Sequence, residues 1–350
     1  MKIDSKLFID DIPLLDVRAP VEYEQGAFPT AINLPILNDA QREKVGICYK
    51  NNGPEAALQL GYEMINGENK QNLLRIWKNF IDSNPKALLY CFRGGQRSSI
   101  AQQWLSDIGI EIEKVDGGYK ALRTFLLDVL NNLPKMTVVS GRTGTGKTEL
   151  LIGVPTFLDL EDRANHRGSA FGGKVTDQPS QINFENAIAI DLLKYSKHVF
   201  VEDEGRLIGR LYVPLPIQEK MKRSSIIVIE DTLANRVDRI FREYVIEQLA
   251  EYSNVVSPLA QLKLKYEKSL AAIQKRLGGA NYKAVSNLMN TAFREHSKGN
   301  LLAHKQWIES LLKLYYDPMY DYQLRQKEAR IIKRGDRASI IKLMGEARFG

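Results

Sequence analysis

The stretch MTVVSGRTGTGKT, residues 136–148, decides the fold class of the larger part of this chain. Its first five residues form an apolar run with the length and composition of a buried strand. Residues 141–148 fit the pattern G-x-x-x-x-G-K-[ST] in full. Because the pattern follows a predicted strand and precedes a predicted helix, it predicts a P-loop in an α/β domain.

Each residue of this loop is predicted to contribute to a diphosphate site. Glycines let the backbone curl so that successive N–H groups point at one phosphate, and the following helix adds the positive end of its dipole. The pattern therefore predicts a ligand with two or more phosphates, but it does not by itself predict ATP hydrolysis. The predicted diphosphate-binding residues are Gly141, Arg142, Thr143, Gly144, Thr145, Gly146, Lys147 and Thr148.

An acidic cluster follows the next apolar strand of this domain, predicted at residues 198–201. Carboxylates at a strand end beside a P-loop commonly hold magnesium through water. The same carboxylates would also serve as solvated loop charges or as ion-pair partners of nearby arginines, and the sequence does not choose between these roles. The predicted metal or polar site consists of Glu202, Asp203, Glu204 and Arg206.

The first 130 residues repeat the alternation of short apolar runs and helical patterns. Strands that alternate with helices predict a mainly parallel sheet with its functional loops at the carboxyl ends of the strands. The predicted strands lie at 12–17, 31–35, 87–90 and 110–115. The predicted helices lie at 53–82, 97–108 and 118–131.

A second chemical motif, CFRGGQRS at residues 91–98, comes directly after one of these strands. A cysteine at a strand end, followed by a short loop and an arginine that opens a helix, is typical of a reactive thiolate. Loop N–H groups, the helix dipole and Arg97 would all favour the charged form of Cys91. We therefore predict Cys91 and Arg97 as catalytic residues, and we interpret the other cysteine, Cys48, as structural.

The amino-acid composition argues against a membrane protein and against a secreted protein. The chain has 350 residues, a formal net charge of +7, 44% hydrophobic residues and only two cysteines. No apolar run approaches the ~20 residues of a membrane span, and the charged N-terminus is unlike a signal peptide. We therefore expect a protein of a reducing compartment, the cytoplasm, without a membrane partner.

The excess positive charge is concentrated in residues 251–350, which hold 18 basic and 9 acidic residues. A basic region beside a near-neutral body is typical of a polyanion-binding protein, with nucleic acid as the first candidate. A solvated helical surface is the alternative. The residues predicted to bind nucleic acid are Lys263, Lys265, Lys268, Lys275 and Arg276.

Several N-terminal motifs resemble those of rhodanese domains. Residues 16–23 and 26–35 resemble the N-terminal rhodanese signature, and residues 116–119 resemble the segment before the last rhodanese helix. Cys91 lies where rhodaneses carry their sulfur-transfer cysteine. The resemblance implies that Asp16 and Arg18 have a structural role and take no part in catalysis.

The order of the motifs resembles the tRNA 2-selenouridine synthase family over nearly the whole chain. The segments that carry this likeness are 90–95, 141–148, 166–172 and 201–209. The resemblance and the strand pattern together predict an α/β protein of three parts. These are a rhodanese-like parallel-sheet domain at 1–132, a P-loop α/β domain at 136–250 and a helical basic extension at 251–350.

The resemblance implies a transferase that converts 2-thiouridine at the tRNA wobble position to 2-selenouridine through an S-geranyl intermediate. Its substrates would be geranyl diphosphate and selenophosphate, with no tightly bound cofactor. Cys91 would carry selenium as a selenopersulfide, and the P-loop would hold the diphosphate leaving group. The implied partners are tRNA and a selenophosphate-producing enzyme, whereas the choice between a monomer and an oligomer stays open.

Three other functions fit part of the same evidence. An ATP-dependent tRNA sulfurtransferase would use both loops but would bind ATP at Lys147. A nucleotide-gated tRNA-binding module would need no catalysis, although degenerate rhodanese domains usually lose the cysteine that is present here. Five residues separate Cys91 and Arg97, where many rhodaneses have four, and this spacing also allows a cysteine phosphatase.

Overall fold

The computed structural model describes residues 2–152, 154, 156–195 and 197–346. The strands are β1 (Leu14–Asp16), β2 (Ala31–Asn33), β3 (Leu88–Tyr90), β4 (Glu113–Lys114), β5 (Lys135–Gly141), β6 (Phe157–Leu158), β7 (His198–Glu202), β8 (Leu207–Ile208), β9 (Leu211–Tyr212), β10 (Ser225–Ile229) and β11 (Ile331–Gly335). The helices up to residue 194 are α1 (Lys6–Ile9), α2 (Pro20–Gln25), α3 (Asp39–Met64), α4 (Gly67–Ser83), α5 (Gln96–Ser106), α6 (Gly118–Asn131), α7 (Lys147–Leu151), α8 (Leu160–Arg163) and α9 (Gln181–Lys194). The later helices are α10 (Leu215–Arg223), α11 (Leu233–Phe241), α12 (Gln248–Glu251), α13 (Pro258–Leu277), α14 (Gly279–His296), α15 (His304–Leu311), α16 (Asp317–Arg325) and α17 (Arg337–Glu346).

The chain divides into two compact units. The first contains the residues up to Asn132 together with Ser180–Lys194, and the second contains Leu133–Pro179 and the chain from Tyr195 onward. Helix α9 therefore belongs to the first unit, although the sequence placed it inside the P-loop domain. Its Asn186 side chain donates to the Ala27 carbonyl oxygen at 2.7 Å. This buried hydrogen bond connects the helix to the loop before β2.

The first unit is built on a parallel sheet with the strand order β2-β1-β3-β4. Leu15 and Leu89 of the central strands are completely buried, as expected for a sheet covered by helices on both faces. The four strands predicted from the sequence are present, although β4 is reduced to two residues.

The predicted helix at 53–82 is wrong in its bounds, because the structure has two helices there. Helix α3 begins much earlier, where the Asn38 side chain accepts a hydrogen bond from the Gln41 N–H at 2.9 Å. It kinks at Gly53, whose φ of 87° is open to glycine but strained for other residues. The chain then turns between α3 and α4, so a single periodic pattern conceals three helical segments.

The second unit is built on a five-stranded parallel sheet with the order β11-β10-β5-β7-β6. Strand β5 lies at its centre, and the P-loop leaves the carboxyl end of this strand. Strand β11 comes from residues 331–335, within the region predicted as a helical extension. The basic C-terminal region thus contributes an edge strand to the P-loop sheet, because Ile331 pairs with Ile226 of β10.

The rest of the C-terminal region is helical, as predicted. Helices α11 and α13–α15 share a hydrophobic core that includes Tyr266, Phe293 and Trp307. Two π-helical segments, Arg242–Glu247 and Leu312–Tyr316, interrupt these helices. The predicted mixed α/β class, with parallel sheets and a helical C-terminal region, is confirmed. In the described part of the chain, no helix combines the length and apolar character needed to cross a bilayer.

Candidate functional site

Cys91 lies directly after β3 and is 3% exposed. Its sulfur is 3.2 Å from the Ser98 hydroxyl oxygen, in the first turn of α5. The Ser98 hydroxyl also contacts the Gly95 carbonyl oxygen at 3.0 Å, so the helix start and the loop are tied together. A hydroxyl beside the sulfur supplies a hydrogen-bond partner that the sequence analysis did not identify.

The segment at 116–119 packs closely against the backbone of the Cys91 loop. The Tyr119 N–H donates to the Cys91 carbonyl oxygen at 2.9 Å. Gly94 has a φ of 64°, and a Cβ there would lie 2.8 Å from the Gly117 nitrogen. A Cβ on Gly118 would collide with the Cys91 carbonyl oxygen. These close backbone contacts explain why glycines are needed on both sides of the loop.

Arg97 lies in the first turn of α5, but a carboxylate neutralises much of its charge. Its two terminal nitrogens donate to the Glu22 carboxylate at 2.5 and 3.0 Å. Burial lowers the pKa of Arg97, whereas Glu22 and, more weakly, Cys91 raise it, so that it stays above its usual value. Burial raises the pKa of Glu22, but Arg97, the Ala19 N–H and Arg42 together bring it below its usual value. The sequence predicted Arg97 and did not identify Glu22.

Asp16 and Arg18 form a buried ion pair, with the closest atoms 2.6 Å apart. Arg18 also donates to the Gly26 carbonyl oxygen at 2.8 Å and lies 3.9 Å from the ring centre of Tyr119. Tyr90 donates its hydroxyl to Asp16 at 2.7 Å. Because every contact of this pair is internal, it connects β1, the loop before β2 and the segment behind Cys91.

In the second unit, the P-loop runs from the end of β5 into α7. Gly144 and Gly146 have φ values of 82° and 74°, which lets the loop curl back on itself. The Lys147 ammonium donates to the Gly141 carbonyl oxygen at 3.1 Å, so the lysine lies over the loop. The local geometry therefore matches the curled loop that the pattern predicts.

Two arginines of α11 bind carbonyl oxygens of the P-loop. Arg236 donates to the Thr143 carbonyl at 2.9 Å, and Arg239 donates to that of Gly144. Arg142, predicted as a diphosphate ligand, instead pairs with Asp321 of α16 at 2.8 Å. The two α11 arginines therefore hold the loop by its carbonyl oxygens.

Three carboxylates converge beside Lys147. Glu161, Glu202 and Glu204 each place an oxygen within 4.8 Å of the others. The Thr148 hydroxyl donates to Glu202 at 2.6 Å. The sequence predicted Glu202 and Glu204, but Glu161 comes from α8, some 40 residues earlier, and no motif marked it.

The carboxylates of this cluster are poorly compensated. Burial, and then the charge of Glu204, raises the pKa of Glu202 to about 8. Burial also raises the pKa of Glu161 and that of Glu204 above their usual range. One oxygen of Glu202 is buried and has no hydrogen-bond partner among the described residues.

This donor set fits a divalent metal ion. Magnesium prefers carboxylate and hydroxyl oxygens, and a cation would pair with the unpartnered Glu202 oxygen. Glu161, Glu202, Glu204 and the Thr148 hydroxyl are the groups that would hold it. Gly168 lies against this cluster, since a Cβ there would collide with the Glu161 carboxylate. The basic glycine-rich segment 166–172 thus adjoins the carboxylates.

The other two members of the predicted acidic site point elsewhere. Asp203 pairs with Lys327 at 2.6 Å and accepts a hydrogen bond from Ser140 at 2.6 Å. The Arg206 guanidinium lies 5.4 Å from the ring centre of Tyr212. Neither residue belongs to the carboxylate cluster described above.

The five basic residues predicted to bind tRNA all lie on α13, in different environments. Lys268, Lys275 and Arg276 are exposed. Lys263 is 3.6 Å from Glu267. Lys265 is half-buried and donates to the Gly173 carbonyl oxygen, and burial lowers its pKa to about 8. Its contacts make Lys265 a packing residue of the segment beside the carboxylates.

Comparison with known proteins covers both units. Residues 3–124 match the rhodanese-like domain family, and residues 134–348 match the tRNA 2-selenouridine synthase AAA domain family. A tRNA 2-selenouridine synthase of Azotobacter vinelandii is 44% identical over 99% of this chain and 96% of its own length. That of Pseudomonas aeruginosa (strain LESB58) is 46% identical over 96% of this chain and 94% of its own length.

A solved structure overlaps in part. The N-terminal domain of a proposed ATP/GTP binding protein from Clostridium difficile 630 is 32% identical, with a TM-score of 0.32. The match covers 36% of this chain and 98% of that domain. The full-length relatives therefore define the family, and the solved structure does not.

Proposed function

This chain belongs to the tRNA 2-selenouridine synthase family, as its motifs predicted, and we propose that it converts 2-thiouridine in tRNA to 2-selenouridine in two steps. The observation that supports this proposal is the presence of both loops, around Cys91 and Lys147, in a chain that aligns with its relatives over nearly its full length. Each loop suits a different half of the conversion.

The first step is alkylation at the P-loop. The sulfur of 2-thiouridine attacks the first carbon of geranyl diphosphate, the carbon–oxygen bond breaks, diphosphate leaves, and the base releases its N3 proton. Lys147 and the loop amides would stabilise the charge that develops on the leaving group. Magnesium held by Glu202 and its neighbours would neutralise further diphosphate charge.

The second step is selenium transfer at the Cys91 loop. S-geranyl-2-thiouridine, selenophosphate and water give 2-selenouridine, geranylthiol and phosphate. Alkylation makes this exchange feasible, because the sulfur then leaves as a thiol. The net reaction consumes no oxidant or reductant. A selenopersulfide on Cys91, which the rhodanese resemblance implies, would need a two-electron oxidant to form from selenophosphate and a thiol reductant to release its selenium, so the net reaction does not call for one.

Arg97 and Ser98 are the groups that would tune the Cys91 sulfur. The Ser98 hydroxyl lies within hydrogen-bond distance of the sulfur. Glu22 holds the Arg97 guanidinium in place at 2.5 Å, in the first turn of the helix that follows the Cys91 loop. We assign positioning roles to Glu22 and Ser98.

The test is nucleoside mass spectrometry on tRNA that carries 2-thiouridine. The purified chain with geranyl diphosphate alone should yield S-geranyl-2-thiouridine, and added selenophosphate should yield 2-selenouridine. Neither product should require ATP or a thiol reductant. Products that form only with ATP would support the sulfurtransferase alternative, and a strict need for dithiothreitol would support a selenopersulfide.

A further inference from the structure

An apolar groove lies beside the Cys91 loop in the first unit. Its walls come mainly from α3 and α5, and its cavity volume is about 100 Å³. Leu58 and Trp104 are among the apolar residues that line it, and Tyr49 contributes an aromatic ring. Apart from the tyrosines, the polar lining residues are Gln96 and Arg97.

The groove is a built feature of this unit. The kink at Gly53 lets both halves of α3 face α5, so that Tyr49 comes from one half and Leu58 from the other. Trp104 of α5 stacks on Trp77 with the ring centres 6.4 Å apart. Trp77 is itself fully buried and donates to the Leu34 carbonyl oxygen at 2.9 Å. The wall formed by Trp104 therefore rests on a fixed core residue.

The first turn of α5 joins this groove to the reactive thiol. Gln96 and Arg97 line the groove, and the next residue, Ser98, contacts the Cys91 sulfur. A polar cradle and an apolar channel thus adjoin within one helical turn. A ligand that fills both has a polar reacting group joined to an apolar chain.

We propose that the groove binds the geranyl chain of S-geranyl-2-thiouridine while its base lies at the Cys91 loop. This inference rests on the proposed function and adds a binding site for the leaving group. Selenophosphate or an unmodified base presents polar edges that an apolar wall does not pair. An isoprenoid chain of ten carbons gains from burial there. The groove would thus select the alkylated nucleoside over 2-thiouridine.

Two glycines of α3 provide a matched pair of variants. Gly61 lines the groove and Gly46 does not. A Cβ built on either one meets no atom within 4 Å, and neither has a positive φ. A side chain at Gly61 would therefore start into the groove with its Cβ unobstructed, and one at Gly46 would start into open space. Both changes also remove a poor helix former.

The experiment supplies full-length protein with selenophosphate and tRNA that carries either S-geranyl- or S-methyl-2-thiouridine. Gly61→Phe should lower kcat/KM for the geranylated tRNA by about 100-fold. It should leave the methylated tRNA unchanged, and Gly46→Phe should match wild type on both. Leu58→Gln, which places an amide in the groove, is a second variant with the same expected direction.

Other outcomes separate this site from the proposed function. If wild type converts neither tRNA, the proposed function fails and the groove proposal fails with it. If wild type converts the geranylated tRNA and Gly61→Phe does so equally well, only the groove proposal is overturned. The groove proposal would also be overturned if Gly61→Phe lowered kcat/KM equally for both tRNAs, or if it abolished geranylation from geranyl diphosphate. The same holds if wild type formed a dimer in solution that Gly61→Phe dissociated.

Discussion

Both candidate loops join a parallel strand to the helix that follows it, β3 to α5 at Cys91 and β5 to α7 at the P-loop. Their charge balance is opposite. At the Cys91 loop, Arg97 meets the single carboxylate of Glu22 in a two-point ion pair. At the P-loop, three carboxylates adjoin Lys147, and one buried carboxylate oxygen has no hydrogen-bond partner among the described residues.

The difference teaches what each loop needs from its ligand. The Cys91 loop is internally compensated, because the charges of Arg97 and Glu22 balance each other. Burial, and then repulsion between the carboxylates, raises the pKa values of the cluster members, so that a proton or a cation would stabilise the cluster. We therefore expect a metal ion to bind in the second unit and thiol chemistry to take place in the first, with opposite pH dependences at the two sites.

The largest effect is expected from Lys147→Ala. Loss of the ammonium should reduce S-geranyl formation by about 10²–10³-fold, because charge on the departing diphosphate loses its stabiliser. From 2-thiouridine tRNA, both products should disappear in nucleoside mass spectrometry. Lys135→Ala, at the other end of β5, is the control. Selenation of tRNA that is already geranylated should persist in Lys147→Ala, and its loss would show that the two loops do not divide the steps.

Cys91→Ala should remove one product only. The variant should still form S-geranyl-2-thiouridine, which should accumulate, and 2-selenouridine should fall below detection because the thiol of the selenation site is gone. Cys48→Ala on α3 should behave as wild type. Full selenation by Cys91→Ala in the same mass-spectrometric assay would leave the rhodanese-like domain as a scaffold.

Glu202→Gln should change how stability depends on pH. The folded pKa of about 8 lies above the ordinary value of 4.5, so the folded state keeps a proton that the unfolded state releases. The contribution of Glu202 to stability should therefore fall as pH rises from about 5 to 8, by at most about 1.4 kcal/mol per pH unit for this one group. Urea unfolding across this range should show a flatter profile for Glu202→Gln.

Urea unfolding with added magnesium tests the proposed metal site directly. At pH 8 it should stabilise wild type by binding the ionised cluster and should have little effect on Glu202→Gln. Glu230→Gln, an exposed carboxylate directly after the neighbouring strand β10, should retain the wild-type response. An equal response of wild type and Glu202→Gln to magnesium would count against the metal site.

Glu22→Gln should have the opposite pH signature and a smaller size. The pKa of Glu22 is lowered, so its stabilising ion pair exists above the ordinary pKa and is lost as pH falls through the folded value. The variant should lose about 1–3 kcal/mol of unfolding free energy at pH 7 and less near pH 4. Urea unfolding of Glu24→Gln, on the exposed part of α2, provides the comparison. A loss that does not change with pH would mean that packing, and not charge, is the cause.

The smallest effect is expected from the C-terminal basic surface. Replacing the exposed Lys268, Lys275 and Arg276 by alanine should lower the slope of log affinity for tRNA against log salt by up to about three. Lys268 and Lys275 are two helical turns apart on α13 and therefore share a face. Replacing Lys220, Lys222 and Arg223 of α10 removes the same charge elsewhere. Equal slopes for both triple variants in binding titrations would leave α13 as a solvated surface.

Sequence reasoning worked best where the chemistry is contiguous. The P-loop and the Cys91 loop each occupy eight consecutive residues, and the local geometry of glycine and of helix starts follows from those residues alone. The parallel sheets were likewise predictable from apolar runs that alternate with helices. The helix at 53–82 was wrong because a glycine kink and a turn leave the apolar periodicity almost intact.

Residues that complete the sites from a distance were not predictable. Glu22 reaches Arg97 across 75 residues, and Glu161 joins Glu202 across 41. Strand β11 joins its sheet through backbone pairing at an edge, where a short and mostly exposed segment has little apolar pattern. Lys265 resembled its exposed neighbours in sequence, although its ammonium binds a backbone carbonyl.

The sequence by itself determined the family, the α/β class and the two reactive loops, because each depends on consecutive residues or on a regular apolar period. Only the tertiary structure decided the charge around those loops. It balanced Arg97 with Glu22, assembled three carboxylates beside Lys147, and turned Asp203 away toward Lys327. Coulomb interactions and burial depend on distance in space, and two carboxylates far apart in the chain repel each other only after folding has brought them together.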